Sequence, residues 1–306
     1  MYDVIIIGGG PAGLTAGLYC SRARLKVLLL EKLAPGGQVI TTDWVENYPG
    51  FPDGVSGFEL VDRMKTQAER FGLPIQSEEA LRLDLSEETK RVTLGKGMLE
   101  SRALILACGA NWKKLGIEGE ALLIGKGVSF CATCDGPFFR DQEVAVIGGG
   151  DTAVEEGIFL TRFASKVHLI HRRDRLRATR LLQERAMGEP KIEILWDSVP
   201  VRILGRDGVE GIELRHVKTG EITQKPVQGV FVFIGTVPNT ELVQGQIELD
   251  EEGFVKTDQH MATSVPGVFA AGDIRSKLFR QIATAVGEGA AASYSVERYL
   301  ETLGRR

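Results

Sequence analysis

The chain has 306 residues and a mass of 33.4 kDa, enough for about two domains of ordinary size. Hydrophobic residues at 43% and charged residues at 25% are typical of a soluble globular protein, and they exclude a disordered chain or a coiled coil. A net charge of -4 argues against nucleic acid or an anionic membrane as the main partner. Two counts remain informative: 37 glycines, well above the usual share of about 7%, and four cysteines.

The uncharged stretch from Val4 to Cys20 is predicted to be a strand, a turn and a helix rather than a signal peptide or a membrane span. It contains five glycines and a proline, Asp3 stands where a basic segment would be, and it lacks the ~20 apolar residues that a span needs. With no other targeting segment, we expect a cytoplasmic protein. Cysteines are normally reduced in that compartment, so a disulfide there is more typical of catalysis than of structure.

The most informative feature is a repeat at a spacing of 140 residues, which aligns Val4–Gly17 with Val144–Gly157 and Lys26–Leu29 with Lys166–Leu169. Each copy indicates an apolar strand, a glycine-rich turn, a helix and a second strand, the βαβ unit that binds dinucleotides. A single glycine run could simply form an ordinary turn between a strand and a helix, without binding a ligand. Two copies in the same register predict two dinucleotide sites. The G-x-G-x-x-G/A fingerprints are Gly8, Gly10 and Gly13 in the first copy and Gly148, Gly150 and Ala153 in the second.

The residue that ends the second strand of each copy distinguishes the two nucleotides. The first copy has Glu31, whose carboxylate can accept hydrogen bonds from ribose hydroxyls, so this site suits FAD or NAD. The second copy has His171 followed by Arg172, Arg173, Arg175 and Arg177, and guanidinium groups bind a 2′-phosphate, so this site suits NADPH. The alternative is that these arginines form a solvated helix face.

Further apolar strands are predicted at Ala103–Gly109, Val230–Asn239 and Gly267–Asp273, followed by a helix from about 281 to 303. The second nucleotide unit lies in the middle of the chain. We therefore predict an α/β fold of two Rossmann-like domains that bind FAD and NAD(P), the second inserted into the first. The outer domain takes 1–112 and 241–306, and the inserted domain takes 113–240.

The cysteines include one C-x-x-C pair, Cys131 and Cys134, followed directly by Asp135. A four-cysteine zinc site would need a second pair, and no histidine lies at ligand spacing, so no metal site is expected. A redox dithiol is the better interpretation, with Asp135 as a general acid and base for the leaving thiol. Cys20 and Cys108 are interpreted as small buried residues.

An FAD-type unit, an NADPH-type unit and a C-x-x-C pair in one chain indicate electron transfer from NADPH through flavin to a dithiol. In this order the motifs closely resemble the low-molecular-weight, bacterial-type thioredoxin reductases, which are pyridine nucleotide-disulfide oxidoreductases of class II, and the resemblance covers essentially the whole chain. One position departs from the family pattern, because Cys108 stands where threonine is usual. The motifs are Gly8–Gly13, Gly36–Gln38, Val45–Gly50, Cys131–Gly136, Gly148–Ala153, His171–Arg173 with Arg177, Ala271–Asp273 and Arg280–Gln281.

The resemblance implies a homodimeric, NADPH-dependent thioredoxin-disulfide reductase, with Cys134 facing the flavin, Cys131 attacking thioredoxin and Asp135 as the acid. Hydride would pass from NADPH to FAD, and electrons then to the Cys131–Cys134 disulfide and to thioredoxin. The residues it assigns to FAD are Gly8, Gly10, Pro11, Ala12, Gly13, Glu31, Gly37, Gln38, Asn47, Gly109, Gly272, Asp273, Arg280, Gln281 and Ile282. Those it assigns to NADPH are Gly148, Gly150, Asp151, Thr152, Glu155, His171, Arg172, Arg173, Arg177 and Ile234.

Other functions stay open at this point. Ile234–Thr240 and Gly287–Ala290 also resemble the flavoprotein subunit of alkyl hydroperoxide reductase, which would pass its electrons to a peroxidase or another thioredoxin-fold partner. That relative usually has an additional N-terminal dithiol domain and lacks the arginine cluster. A dithiol oxidase or a redox sensor would have no use for the arginine cluster.

Overall fold

The computed structural model describes residues 1–42, 45 and 47–304. The chain forms two compact units: the first unit comprises Met1–Asn111 and Val237–Arg306, and the second unit comprises Trp112–Thr236. The second unit therefore interrupts the first in sequence, as the repeat predicts. Within the described ranges, none of the helices is both long and apolar enough to cross a membrane.

The helices are α1 (Pro11–Arg22), α2 (Gly57–Arg70), α3 (Glu120–Leu123), α4 (Ala132–Asp135), α5 (Asp151–Leu160), α6 (Arg180–Gly188) and α7 (Ile282–Gly304). The strands are β1 (Tyr2–Ile7), β2 (Val27–Glu31), β3 (Ile75–Ser77), β4 (Arg82–Asp84), β5 (Lys90–Leu94), β6 (Gly97–Leu106), β7 (Ala110–Trp112), β8 (Val128–Ser129), β9 (Glu143–Ile147), β10 (Lys166–Ile170), β11 (Ile192–Leu195), β12 (Ser198–Gly205), β13 (Val209–His216), β14 (Ile222–Lys225), β15 (Gly229–Val232), β16 (Thr236–Pro238) and β17 (Val268–Ala270). Short 3-10 helices cover Gly37–Thr41, Gly136–Phe139 and Glu241–Val243.

The sheet of the first unit is built on parallel strands in the order β3-β2-β1-β6-β17. The antiparallel strands β5 and β4 continue the sheet from the first half of β6. Strands β1, β2 and the second half of β6 carry unbroken runs of buried apolar residues. Such runs are typical of parallel strands that are covered on both faces.

Helix α1 covers one face of this sheet, and α7 packs closely against it. Pro11 occupies the first turn of α1, where its missing N–H costs no hydrogen bond. The buried residues of α7 recur at helical spacing from Ala285 to Leu300. Gly289 lies on this stripe, and a side chain there would collide with the backbone oxygen of Ala12. The close approach of the two helices therefore depends on this glycine.

The sheet of the second unit is entirely parallel, in the order β11-β10-β9-β15-β8. Val144 pairs with Val167 in the same register as Val4 with Val27, so the predicted βαβ repeat is confirmed. An antiparallel sheet, β12-β13-β14, shares a buried apolar cluster with one face of the parallel sheet. Nothing in the sequence patterns predicts this second sheet.

Each parallel strand of the first unit has a counterpart at the same position in the sheet of the second unit. The order of the strands along the chain differs for one pair. Strand β8 lies beside β15 as β17 lies beside β6, although β8 is the first strand of its unit and β17 is the last strand of its own. The strand predicted at 230–239 is in fact two strands, β15 and β16. Gly235, with φ of +112°, breaks it because this backbone conformation is favourable only for glycine.

Candidate functional site

The first glycine loop joins β1 to α1 and leaves open space in front of the helix. Side chains at Gly8 and Gly13 would collide with backbone atoms, so these glycines are needed for the turn itself. At Gly10, by contrast, a Cβ would meet no described atom within 4 Å. Among the described residues no side chain caps this end of α1, so its backbone N–H groups are available to an anion.

Glu31, the residue predicted at the end of β2, lies over this loop. Its carboxylate accepts hydrogen bonds from the backbone N–H of Gly9 at 2.7 Å and of Leu33 at 3.0 Å. Gly9 also accepts a hydrogen bond from the N–H of Gly36 at 2.7 Å, which places Gly37 against Gly10. Gly9 was missed by the sequence reasoning, although it stands inside the glycine run.

The other residues that the resemblance assigns to FAD lie in the first unit, on loops, in the 3-10 helix Gly37–Thr41 and at the start of α7. Gln38 donates a side-chain hydrogen bond to the backbone oxygen of Ala110. Asn47 donates to the side chain of Gln281 at 3.0 Å, which brings two distant expected residues together. Gly109 follows β6 with φ of +68°. Glu46, part of the motif around Asn47, lies outside the described residues.

Gly272 and Asp273 follow β17, at the same carboxyl edge of the sheet as the first glycine loop. Gly272 donates its N–H to Glu288 at 2.8 Å, and the Lys277 ammonium lies 3.0 Å from Asp273. Glu288 also pairs with the guanidinium of Arg275 at 2.9 Å, so one carboxylate of α7 fixes this loop. Glu288 was given no role in the sequence analysis, although it lies within the segment Gly287–Ala290 that was noted there.

The remaining expected FAD residues follow that loop. Arg280 donates to the backbone oxygen of Arg275 at 3.3 Å, and its guanidinium lies 4.0 Å from the ring centroid of Phe254. Ile282 is the first residue of α7. Arg280 is thereby held in place by a hydrogen bond and a cation–π contact.

The second glycine loop joins β9 to α5 beside a cavity of about 330 Å³. The cavity is bounded by the loop, by the end of β10 and by β12. The expected residues that line it are Gly148, His171, Arg172, Arg177 and Ile234. The other expected NADPH residues do not line it: Gly150, Asp151, Thr152, Glu155 and Arg173.

His171 corresponds to Glu31 in the repeat, and its ring lies over the second glycine loop in a similar way. Its Nδ1 lies 3.0 Å from the backbone oxygen of Gly148, and burial lowers the pKa of the imidazole, with a smaller contribution from Arg177 and Arg172. Its Nε2 is buried and has no hydrogen-bond partner among the described residues. A side chain at Gly149, another glycine that sequence reasoning missed, would collide with this ring.

The arginines predicted to bind phosphate are exposed around this loop. Within the described part of the chain, Arg172, Arg173 and Arg177 form no ion pair with a carboxylate. The backbone N–H of Arg177 donates to Gly149 at 2.6 Å, which fixes the segment against the loop.

The start of α5 is likewise open to solvent. Asp151 accepts a hydrogen bond from the backbone N–H of Thr179 at 2.6 Å, so its carboxylate is already engaged. Thr152 and Glu155 are exposed. As at α1, no described side chain caps this helix at Gly150.

Cys131 and Cys134 form a disulfide, with their Cα atoms 5.3 Å apart. Cys131 precedes α4, and Cys134 and the partly exposed Asp135 lie within it. The Cys131 sulfur lies 3.3 Å from the hydroxyl of Thr133. Because α4 follows β8, the disulfide and the second glycine loop lie at the same carboxyl edge of one parallel sheet.

The other two cysteines are free thiols; Cys20 is buried as expected, whereas Cys108 is half-buried. Burial raises the pKa of both Cys20 and Cys108 to about 12. At neutral pH neither thiol therefore supplies the thiolate that exchange requires.

Comparison with known proteins gives matches over both units. A family model for pyridine nucleotide-disulphide oxidoreductases matches residues 2–289. The chain is 49% identical over 304 residues to a thioredoxin reductase of Streptomyces coelicolor, covering 98% of this chain and 94% of that protein. It is 46% identical over 304 residues to one of Bacillus subtilis, covering 99% and 96%. The crystal structure of thioredoxin reductase from Streptococcus pyogenes matches with a TM-score of 0.93 and 46% identity, covering 99% of both chains.

Proposed function

The chain belongs to the pyridine nucleotide-disulphide oxidoreductase family, and we propose that it is an NADPH-dependent thioredoxin reductase. One observation carries this proposal. The Cys131–Cys134 disulfide lies at the same sheet edge as a glycine loop whose neighbouring arginines have no carboxylate partner in the described part of the chain. A dithiol and a phosphate-binding site within one unit fit an enzyme that delivers electrons from NADPH to disulfides.

We assign NADPH to the second unit, the predicted domain 113–240. The start of α5, which no described side chain caps, offers backbone N–H groups to the pyrophosphate. A Cβ at Gly150 would meet no described atom closer than the Arg177 guanidinium at 3.9 Å, so there is room for the pyrophosphate. Among the described residues, Arg172, Arg173 and Arg177 have no carboxylate partner, so their guanidinium groups are available to the 2′-phosphate, and His171 lines the same cavity. Asp151, Thr152, Glu155 and Ile234 complete the proposed set.

We assign FAD to the first unit, the predicted segments 1–112 and 241–306. The open space at Gly10, the uncapped α1 and the carboxylate of Glu31 fit the pyrophosphate and ribose of a dinucleotide. When bound there, FAD would supply the two-electron redox chemistry that links NADPH to the Cys131–Cys134 disulfide. The loops of Gly37–Gln38, Gly109, Gly272–Asp273 and Arg280–Ile282, with Asn47, would hold it.

In the dithiol state, we propose that the Cys131 thiolate attacks one sulfur of the thioredoxin disulfide and releases the other as a thiolate. Cys134 then attacks the Cys131 sulfur, which restores the Cys131–Cys134 disulfide and releases the second thioredoxin sulfur. Asp135 moves protons between the leaving and attacking sulfurs. Two electrons and two protons thus reach thioredoxin, and the enzyme is left oxidised.

We propose further that the protein is a cytoplasmic homodimer. The bacterial-type family that it resembles is homodimeric, and a redox dithiol suits a compartment in which cysteines are normally reduced. Light scattering of the purified protein tests the assembly, and fractionation of the source cells tests the location.

Anaerobic mixing of the flavin-loaded protein with NADPH tests the proposed function. We expect bleaching of the flavin, and turnover with a disulfide-form thioredoxin. Cys134→Ser should still be bleached but should not reduce thioredoxin, whereas Cys20→Ala serves as the matched control and should keep wild-type turnover. Absence of bleaching by NADPH would contradict the proposal.

The choice of partner is tested with the same assay. Turnover with thioredoxin in preference to peroxidase components supports the proposal. A preference for the peroxidase components would instead identify the alkyl hydroperoxide reductase-like function. Oxygen consumption without either partner would identify a dithiol oxidase.

A further inference from the structure

A carboxylic acid that the proposed mechanism does not use lies beside the disulfide. Helix α4 and the turn after it run along α5, and two contacts fix their register. Ala132, directly after Cys131, contacts the carboxyl group of Glu156 through its backbone N–H. Four residues further along both segments, a Cβ at Gly136 would lie 3.1 Å from the side chain of Leu160. Cys134 and Asp135 lie between these two contacts.

The carboxyl group of Glu156 lies in an apolar environment. Its Oε2 is buried without a hydrogen-bond partner among the described residues. Burial raises the pKa of Glu156, and the neighbouring carboxylate of Glu155 raises it further. The group is therefore more easily protonated than an ordinary glutamate.

The charged group of α5 that acts on Glu156 is the carboxylate of Glu155. The segment packed against α5 carries Cys131, directly before α4, and Cys134 and Asp135 within α4. Strands β9 and β10 and helix α6 face α5 with apolar side chains: Val144, Val146, Val167, Leu169, Leu182 and Ala186. The dithiol is thus the partner whose charge changes during the reaction.

We propose that Glu156 is a positioning residue that holds α4 through the Ala132 amide and couples the redox equilibrium of Cys131–Cys134 to pH. This role of Glu156 rests on the proposed function. When the S–S bond breaks, the two sulfurs take up the electron pair that NADPH supplies through FAD. The resulting thiolate belongs to the segment that Glu156 contacts at Ala132, next to Cys131. An ionised carboxylate there opposes reduction, and reduction favours proton uptake by Glu156.

The inference is tested by the dithiol–disulfide equilibrium of the full-length holoenzyme. The protein is equilibrated anaerobically with mixtures of reduced and oxidised dithiothreitol from acid to alkaline pH, quenched, alkylated and analysed by mass spectrometry. Because dithiothreitol sets the equilibrium, the measurement does not require thioredoxin. Failure of the inference can therefore be distinguished from failure of the proposed function.

We expect Glu156→Gln to favour the dithiol by about tenfold at alkaline pH, a shift of about 30 mV for a two-electron couple. The difference should disappear at acid pH, where Glu156 is protonated in the wild type. Glu156→Asp keeps the charge and should retain the wild-type pH dependence. Glu210→Gln, an exposed strand residue of the same unit, is the matched control and should match the wild type.

Two results would overturn the inference: curves of Glu156→Gln and wild type that coincide at every pH, or an offset that is independent of pH. The second result would mean that the residue acts through packing alone. If Glu156→Gln does not fold, infrared spectroscopy of the wild-type protein still tests the inference. Infrared difference spectra between oxidised and reduced protein should show a change in a protonated carboxyl band, and the band should persist in Asp135→Asn. Absence of this band from the spectrum of Asp135→Asn would refute proton uptake by Glu156.

Discussion

Alanine substitutions at two glycines of the first loop separate cofactor binding from folding. Gly10 has φ of -72°, which any residue adopts, and a Cβ there meets no described atom within 4 Å. Gly10→Ala should therefore leave the unfolding free energy of the apoprotein within about 0.5 kcal/mol of the wild type. Its methyl group would, however, occupy the space we assign to the FAD pyrophosphate. We expect FAD affinity to fall by at least about tenfold, or 1.4 kcal/mol.

Gly13→Ala should behave in the opposite way. Its methyl group would collide with the backbone oxygen of Gly8 and lie 3.4 Å from the Cβ of Ala107. Because backbone cannot move aside as a side chain can, we expect a loss of stability of about 1–3 kcal/mol even without cofactor. Urea denaturation of the apoproteins gives the first quantity, and quenching of FAD fluorescence on titration gives the second. The reasoning is refuted if Gly10→Ala binds FAD like the wild type, or if it is destabilised as much as Gly13→Ala.

Three further substitutions test the second unit. Arg177→Gln removes a guanidinium that has no carboxylate partner among the described residues, so KM for NADPH should rise roughly tenfold to a hundredfold. KM for NADH, which lacks the 2′-phosphate, should not change. An equal rise in KM for both nucleotides would exclude 2′-phosphate binding by Arg177. Burial lowers the pKa of His171 below 6.5, so the stability it contributes is complete above that pH and is lost as the pH falls through its folded-state pKa. His171→Asn should show a shallower loss of unfolding free energy on acidification, and a slope equal to that of the wild type would disprove this. The buried carboxylate of Glu120 accepts two backbone N–H bonds at 2.8 Å, so Glu120→Ala should cost about 2 kcal/mol or more in urea denaturation. The exposed Glu118→Ala is its control, and equal losses would contradict the hydrogen-bond argument.

The parts of the fold that could be predicted are those encoded in local sequence. Apolar runs and glycine turns are short-range signals, so the βαβ repeat was located with the correct register of its strands. The helix expected from about 281 to 303 is α7, Ile282–Gly304. By contrast, the place of β8 beside β15 depends on a pairing across about a hundred residues of chain, which no local pattern contains.

The same limit applies to the candidate site. Residues in motifs, such as His171, were found because their type and spacing carry the chemistry. Glu288 and Glu156 lie in segments that the sequence analysis quoted, but it gave them no role, because each acts through a contact with another part of the chain, Gly272 and Ala132 respectively. Gly149 could have been found by noting that the repeat places a large ring over it where the first copy has a flexible glutamate.

The order of strands along the chain has a consequence for biosynthesis. Strand β6 is complete at Leu106, but β17, its neighbour in the sheet, is translated only after the whole second unit. The second unit, in contrast, contains all the strands of its own parallel sheet. We therefore expect the inserted unit to finish folding on the ribosome while the outer unit still exposes an unpaired edge of β6, the stage at which a nascent chain is most prone to aggregate.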